Sequence, residues 1–368
     1  IEYHNQYIPS SNLLEIILSI IQNLIKVPQK LTKTFTTQQK QVSIGYTAAV
    51  WKRSSWIVYQ PIGEAKKMLI SPPTTSGHLS SKGQLTPANM AYFNLHGVQD
   101  GPDWYGQRDI ADQSNPDYPV ALNPKDIMNS GQAPKVVFSE ACYGANIIEK
   151  TEETAIALKF LSSGTSAVVG STTIAYGSVT APLISADLLG NLFWKQIRRG
   201  VSFGEAFQLA KIGLAREMNI RQGYLDGEDQ KTLISFILYG DPLASIDFKA
   251  SKERLVLRTT KHPEVTLIND HENVFPSGGQ IPADVLVQVK QIVDQYLPGL
   301  RDADLSISYQ KSYLPESKGG ALGPVKPVNR NTVVMLNKQV KMASHIHKHY
   351  ARFTLDVKGK VLKMALSR

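Results

Sequence analysis

Two short apolar runs, each ended by a residue able to do acid–base or nucleophilic chemistry, constrain this chain more than anything else in it. Val136-Val137-Phe138 reads as a buried strand. It runs into Ser139-Glu140-Ala141-Cys142-Tyr143-Gly144, so a thiol stands just past the strand's carboxyl end. Forty-six residues before Cys142, the run Ala91-Tyr92-Phe93-Asn94-Leu95 ends in His96-Gly97. Cys142 is the one cysteine of 368 residues, so it makes no disulfide within the chain, and its role is packing or chemistry.

In an open α/β sheet, ligands bind beyond the carboxyl ends of the strands, where His96 and Cys142 would both point. A thiol with a free pKa near 8.5 is a weak nucleophile at neutral pH until a base takes its proton, and an imidazole on a neighbouring strand can do so. Gly97 leaves room for a substrate backbone. The amides of Gly97 and Cys142 could then face the oxyanion formed when the thiolate attacks a carbonyl. Taken singly, a buried Cys is a small hydrophobe and a His is a hydrogen-bonded core residue; the order strand-His-Gly, then strand-acid-Ala-Cys-x-Gly, carries the chemical reading. No third residue that would orient His96 is visible.

Asn94-Leu95-His96-Gly97 and Ser139-Glu140-Ala141-Cys142-Tyr143-Gly144 resemble the His-Gly and Ala-Cys motifs of the caspase-like cysteine peptidases. Residues 155–172 and Phe236-Ile237-Leu238-Tyr239-Gly240-Asp241-Pro242 are similar to the gingipain-type branch and to caspase-like domains that accompany helical repeats. The resemblance spans roughly residues 40–248. It implies an α/β fold, a caspase-like three-layer sandwich with a mostly parallel sheet. It also implies a His96–Cys142 dyad that hydrolyses peptide bonds with no metal or organic cofactor. Glu140, at a position that borders the primary specificity pocket in similar peptidases, could face an Arg or Lys side chain. Asp100 and Asp103 are rival sources of that charge, and a preference for Asn or Asp stays open. Ser171, Thr172 and Tyr176 are expected to line the cleft by the same analogy, and Trp104 could form an aromatic wall of it, although an aromatic at a loop's base also serves as an anchor.

The length suits two domains. We expect a helical segment over 1–40, the peptidase domain over 41–248 and a basic α+β module over 251–368. Leu13, Leu14, Ile17, Leu18, Ile21, Leu24 and Ile25 recur at helical spacing in the first segment, too short a stretch to span a bilayer. Ser43 to Leu69 reads as helix-rich, Ile70 to Leu85 as a loop, Asn146 to Phe160 as a helix and Asp226 to Gln230 as an exposed loop. The two helices Leu183 to Arg198 and Phe203 to Arg216 follow the strand Ser166 to Gly170, and Leu233 to Leu238 is a last strand.

The net charge is +9, and residues 251–368 hold 18 Lys and Arg against 10 Asp and Glu, a net +8. That module reads as strands at 255–257, 265–268, 305–309, 332–336, 350–357 and 360–365 with one helix after Pro282. No Arg-rich run with interleaved aromatics argues for nucleic acid, so its basic surface is assigned to docking a substrate protein, a partner or an anionic surface. His345, His347 and His349 alternate on one strand; with no Cys or carboxylate cluster beside them, an exposed edge is the simpler account and no metal site is expected. The partner implied throughout is a protein or peptide substrate. Two other classes stay open, a dormant caspase-like scaffold and a binding module led by the basic part. The chain begins without a methionine, so whatever came before Ile1, a signal peptide included, is expected to have been removed, and the compartment is not fixed.

Overall fold

The computed structural model describes residues 34–35, 43–82, 85, 88–127, 133–248, 267, 274–276, 283–313 and 327–368. In chain order, β1 (Ser43–Ala48), α1 (Lys52–Tyr59), β2 (Leu69–Ser71), α2 (Ser76–Lys82) and β3 (Met90–Asn94) lead into a small sheet of β4 (His96–Gly97), β5 (Trp104–Tyr105) and β6 (Val120–Leu122). Next come β7 (Val136–Ser139), α3 (Ile156–Ser162), β8 (Ala167–Ser171), β9 (Tyr176–Gly177), α4 (Ser185–Ile197), α5 (Phe203–Gln222), α6 (Gly227–Ser235) and β10 (Phe236–Gly240). The C-terminal part holds β11 (Val274–Pro276), α7 (Ala283–Tyr296), β12 (Asp304–Tyr313), β13 (Pro327–Met342), β14 (His345–Leu355) and β15 (Val361–Ser367).

The central sheet has the order β10-β8-β7-β3-β1-β2, parallel except for the antiparallel edge strand β10. Alternation along its strands feeds two cores, as a sheet covered on both faces requires. Tyr92, Phe138 and Val169 face one layer with Leu189, Phe193 and Trp194 of α4 and Ala210 and Leu214 of α5. Phe93, Val137 and Val168 face the other, with Leu79 of α2 and Ile156 and Phe160 of α3. This is a three-layer α/β sandwich. Full burial of an aromatic such as Phe138 stabilises by about 2–3 kcal/mol.

A second, antiparallel sheet has the order β9-β15-β14-β13-β12-β11. One face packs on α7, whose Val285, Val289 and Val293, spaced by four, meet Val334, Leu336, Phe353 and Leu355. Its first strand, β9, is drawn from the middle of the chain, just after β8. Its neighbour β15 is the last strand described. The two parts of the molecule therefore share a continuous ladder, with Tyr176 opposite Ser367 and Gly177 opposite Leu366.

Four local expectations change. Ser43–Ala48 is a six-residue strand of the central sheet rather than part of a helical portion: Ile44 and Tyr46 enter the α2–α3 core, and a Cβ on Gly45 would meet Met68 Cγ at 2.8 Å. The stretch from Ile70 to Leu85 contains β2 and α2 instead of a plain loop. The helix before β8 starts only at Ile156, because residues 141–155 form turns that hold Cys142. Asp226 to Gln230 is a buried helix start, not an exposed loop. Asp226 caps α6 by accepting from the Asp229 amide at 3.1 Å, and the acids in its first turn face cations from the second sheet. The helix expected over 13–25 and the strands expected at 255–257 and 265–268 lie outside the described residues, Leu267 excepted. No helix among the described residues is long and apolar enough to cross a membrane.

Candidate active site

Parallel pairing sets β3 and β7 side by side and in step, with Met90 opposite Val136 and Phe93 opposite Ser139. The register continues one residue further, where the Glu140 amide donates to the Phe93 carbonyl at 2.9 Å. His96 and Cys142 thus leave one rim from adjacent strands. Gly97 and Cys142 are in close backbone contact, since a Cβ on Gly97 would fall on the Cys142 carbonyl. Glycine is the residue that fits there.

The turn after the thiol is tight. Tyr143 holds a left-handed φ of 56°, a conformation that costs a non-glycine residue about 1–2 kcal/mol. Three backbone bonds hold it: the Tyr143 amide to Thr173 O at 2.8 Å, the Gly144 amide to Ala141 O at 3.0 Å and the Ala145 amide to Ser171 O at 2.9 Å. The thiol itself lies against Ala175, whose amide donates to Sγ at 3.3 Å and whose carbonyl stands 3.6 Å away. Cys142 is fully buried, and burial pushes its thiol up to about 12.

His96 is also fully buried, and burial followed by repulsion from His349 and His347 holds its imidazole well below the ordinary histidine range. Nε2 lies 2.8 Å from Gln107 Oε1, a contact that suits the tautomer with its proton on Nε2; among the described residues Nδ1 has no hydrogen-bond partner. Gln107 is thus the orienting group that the sequence did not reveal, fixed by its own amide donating to Ser71 O at 3.2 Å. Around the ring stand Trp51 (centroids 4.3 Å apart), Tyr118 (5.6 Å), His347 (5.3 Å) and His349 (5.2 Å). His347 and His349 are therefore a buried lid on His96, which corrects the expectation of an exposed edge. Period-two alternation on β14 turns both rings inward together. Among the described residues no group of three or more His, Cys, Asp and Glu is arranged to hold a metal ion.

Beside the thiol lies a slot lined by acids. Glu140, fully buried, accepts from Tyr92 Oη at 2.7 Å. Asp187, in the first turn of α4, accepts from the Ser178 hydroxyl at 3.1 Å and from the Ser178 amide. The side chain of Arg368 fills this slot. Its Nη2 donates to Asp187 Oδ2 at 2.6 Å and to Ser178 O at 2.8 Å, and its Nε lies 3.5 Å from Glu140 Oε2 without hydrogen-bond geometry. The guanidinium stacks over the Trp51 ring at 4.4 Å. Burial, with Asp187 next to it, pushes the Glu140 carboxyl well above its usual range against the pull of Arg368. That favours the protonated form, so the slot avoids two bare carboxylates in contact.

The remaining sequence-named residues are scattered. Asp100 is exposed, and Asp103 is engaged by Asn123. Trp104, rather than walling a cleft, packs edge-on against Phe93 in the core, 4% exposed. Ser171 bonds to the Ser235 hydroxyl at 3.0 Å and Thr172 to Ser235 O at 3.2 Å, which ties both to β10's root. Tyr176 lies on β9, with Lys231 Nζ 5.4 Å over its ring. Of the set, Glu140, Gly97 and Tyr176 are beside His96 or Cys142. None of Asp187, Trp51, Gln107 and Arg368 was expected at the site from sequence. For Asp187 a signal existed, a carboxylate on the same helix stripe as Gly190 and Trp194.

No family model matches the chain, and no curated protein matches it. Among solved structures, that of the Saccharomyces cerevisiae separase–securin complex is similar at a TM-score of 0.37 and 15% sequence identity, over 65% of this chain. The chain spans 14% of that one's length.

Proposed function

We propose that this chain is a caspase-like cysteine endopeptidase of gingipain type that cleaves after arginine. The single observation that carries the reading is the acid-lined slot next to the only thiol, with a guanidinium already seated in it. Once the site is open to water and the burial that raises the thiol and lowers the imidazole is relieved, Cys142 loses its proton to His96 and attacks the scissile carbonyl. The amides of Gly97 and Cys142 hold the oxyanion, and His96 returns the proton to the leaving amine. Water, deprotonated by the same imidazole, then releases the acyl group from sulfur.

The contacts to Asp187 and Ser178 O both come from one nitrogen, Nη2, and would suit either cation; the flat guanidinium face stacked on Trp51 is what favours arginine over lysine. An Asp or Asn side chain would leave the acids unpaired or repelled. A panel of peptides with Arg, Lys, Asn or Asp at the cleaved position tests this. Cleavage after Arg, lost in Cys142→Ala, is the expected result. Cleavage retained in that variant, or a panel without preference, rejects it.

A dormant scaffold is the second reading, favoured by the complete burial of both dyad groups. The two differ in whether Cys142 ever becomes reactive.

A further inference from the structure

We infer that residues 365–368 are a built-in occupant of the substrate cleft, a pseudosubstrate strand by which the C-terminal sheet keeps the Cys142 site closed. The term pseudosubstrate rests on the peptidase reading; the occlusion does not.

β15 adds to β9 as an extended peptide adds to an exposed sheet edge, antiparallel, with Ser367 opposite Tyr176 and Leu366 opposite Gly177. The ladder ends beside the thiol: the Arg368 amide donates to Ala175 O at 3.1 Å, and that same carbonyl stands 3.6 Å from Cys142 Sγ. The backbone of Arg368 is thus held against the residue that touches Sγ, the place that the residue before a scissile bond would take. Its side chain enters the acid slot and is completely buried. Gly177 is what makes the seat possible, because a Cβ there would overlap both Arg368 Nη2 and Asp187 Oδ2.

Ser367 faces the other way, its Oγ accepting from the Tyr350 amide at 2.9 Å, while Leu366, two residues back and on the same face as Arg368, packs in the core of the second sheet. The C-terminal sheet thus holds the rest of the strand and leaves Arg368 to the slot. Two further buried cations fasten the same sheet, Lys363 to Asp226 and Asp229, and Arg352 to Glu228. His347 and His349 cover His96 from the same direction. One module therefore seals base, nucleophile and specificity slot together. A substrate must displace this strand, and the strand describes what can: an extended segment with Arg before the scissile bond, a small residue before it and an aliphatic one before that.

Because the chain has one thiol, alkylation by iodoacetamide reads Cys142 alone. In the 368-residue chain, Arg368→Ala should speed alkylation by at least about tenfold, the order by which one buried charge-assisted pair governs an opening equilibrium. Hydrolysis of a fluorogenic arginyl peptide should rise with it. Arg368→Gln, which keeps a polar group in the slot, guards against loss of fold, with circular dichroism and a cooperative melt as the check. Unchanged alkylation in whichever variant is folded overturns the occlusion. Faster alkylation without hydrolysis upholds the occlusion and sinks the peptidase reading instead.

Discussion

Lys363→Met removes a cation that is buried between two carboxylates. Lys363 Nζ lies 2.7 Å from both oxygens of Asp226 and 3.0 Å from Asp229, with side-chain exposures of 6%, 3% and 0%. Methionine fills the space but leaves Asp226 without its main counter-ion, beside an Asp229 that burial and Asp226 already push towards its protonated form. Breaking a buried pair from one side costs about 3–5 kcal/mol, because the orphaned charge keeps its desolvation penalty. Burial alone would raise the Asp226 carboxyl, yet Lys363 and Arg352 hold it below the usual range. In the wild type that stabilisation is therefore present above the unfolded pKa and lost as pH falls through the folded one. In the variant the sign reverses: the Asp226 pKa rises, and the cost shrinks as the pH drops from 7.5 towards 5 and the acid takes up a proton. Hydrogen exchange of β14 and β15 amides reads the opening of this sheet element by element. Protection at pH 7.5 should fall by about two to four orders of magnitude. Adding Asp226→Asn should restore roughly 1–3 kcal/mol of it. A loss under about 1 kcal/mol, or one that grows towards acid pH, refutes the argument that this pair fastens the sheet.

The imidazole lid predicts an acid-labile closure. Burial lowers His347 to about 4 and His349 to about 3. Their neutral-state stability is lost as the pH falls below the unfolded value of about 6.5, by roughly 3 kcal/mol for His347 alone once it is charged. The melting temperature of the wild type should therefore drop more steeply between pH 6.5 and 4 than that of the His347→Gln/His349→Gln chain; parallel curves would count against the lid. Gly177→Ala should expel the guanidinium, so Cys142 alkylation speeds up while cleavage of arginyl peptides is lost through a raised KM. Equal rates in both assays would argue that the slot is not where Arg binds. Phe138→Ala, in contact with Phe193, Trp194 and Phe236, should destabilise by about 3–5 kcal/mol in thermal or urea unfolding, and a cost under about 1 kcal/mol would mean that the α4 layer does not pack on this strand.

How much of this was legible depended on how local the cause was. The strands that carry His96 and Cys142 announce themselves because each is an uninterrupted apolar run stopped by glycine. β1 does not, since Ser43, Gly45 and Thr47 break its apolar pattern, and Gly45 is required only by the approach of Met68 and Tyr59. The stretch after Asp226 has the Asp and Glu of a helix start, but its burial depends on Arg352 and Lys363, 124 and 137 residues away from their partners. Nothing near 226 in sequence reveals them. The same holds for the slot. Glu140 was readable from its place two residues before the thiol, whereas Asp187, Trp51 and Arg368 come from three other parts of the chain and meet only when β9 and β15 pair. The excess positive charge beyond residue 251 was read as a docking surface. Three of its cations, Arg352, Lys363 and Arg368, are spent on the acids of the molecule's own α/β half.

The most direct test is covalent. The Arg368→Ala chain is treated with an arginyl chloromethyl ketone and, separately, with its aspartyl counterpart, and the site of attachment is read by mass spectrometry. The account predicts one adduct, on Cys142, formed with the arginyl reagent and lost when Asp187 is also changed to Asn. No adduct on Cys142, or equal labelling by both reagents, would contradict it.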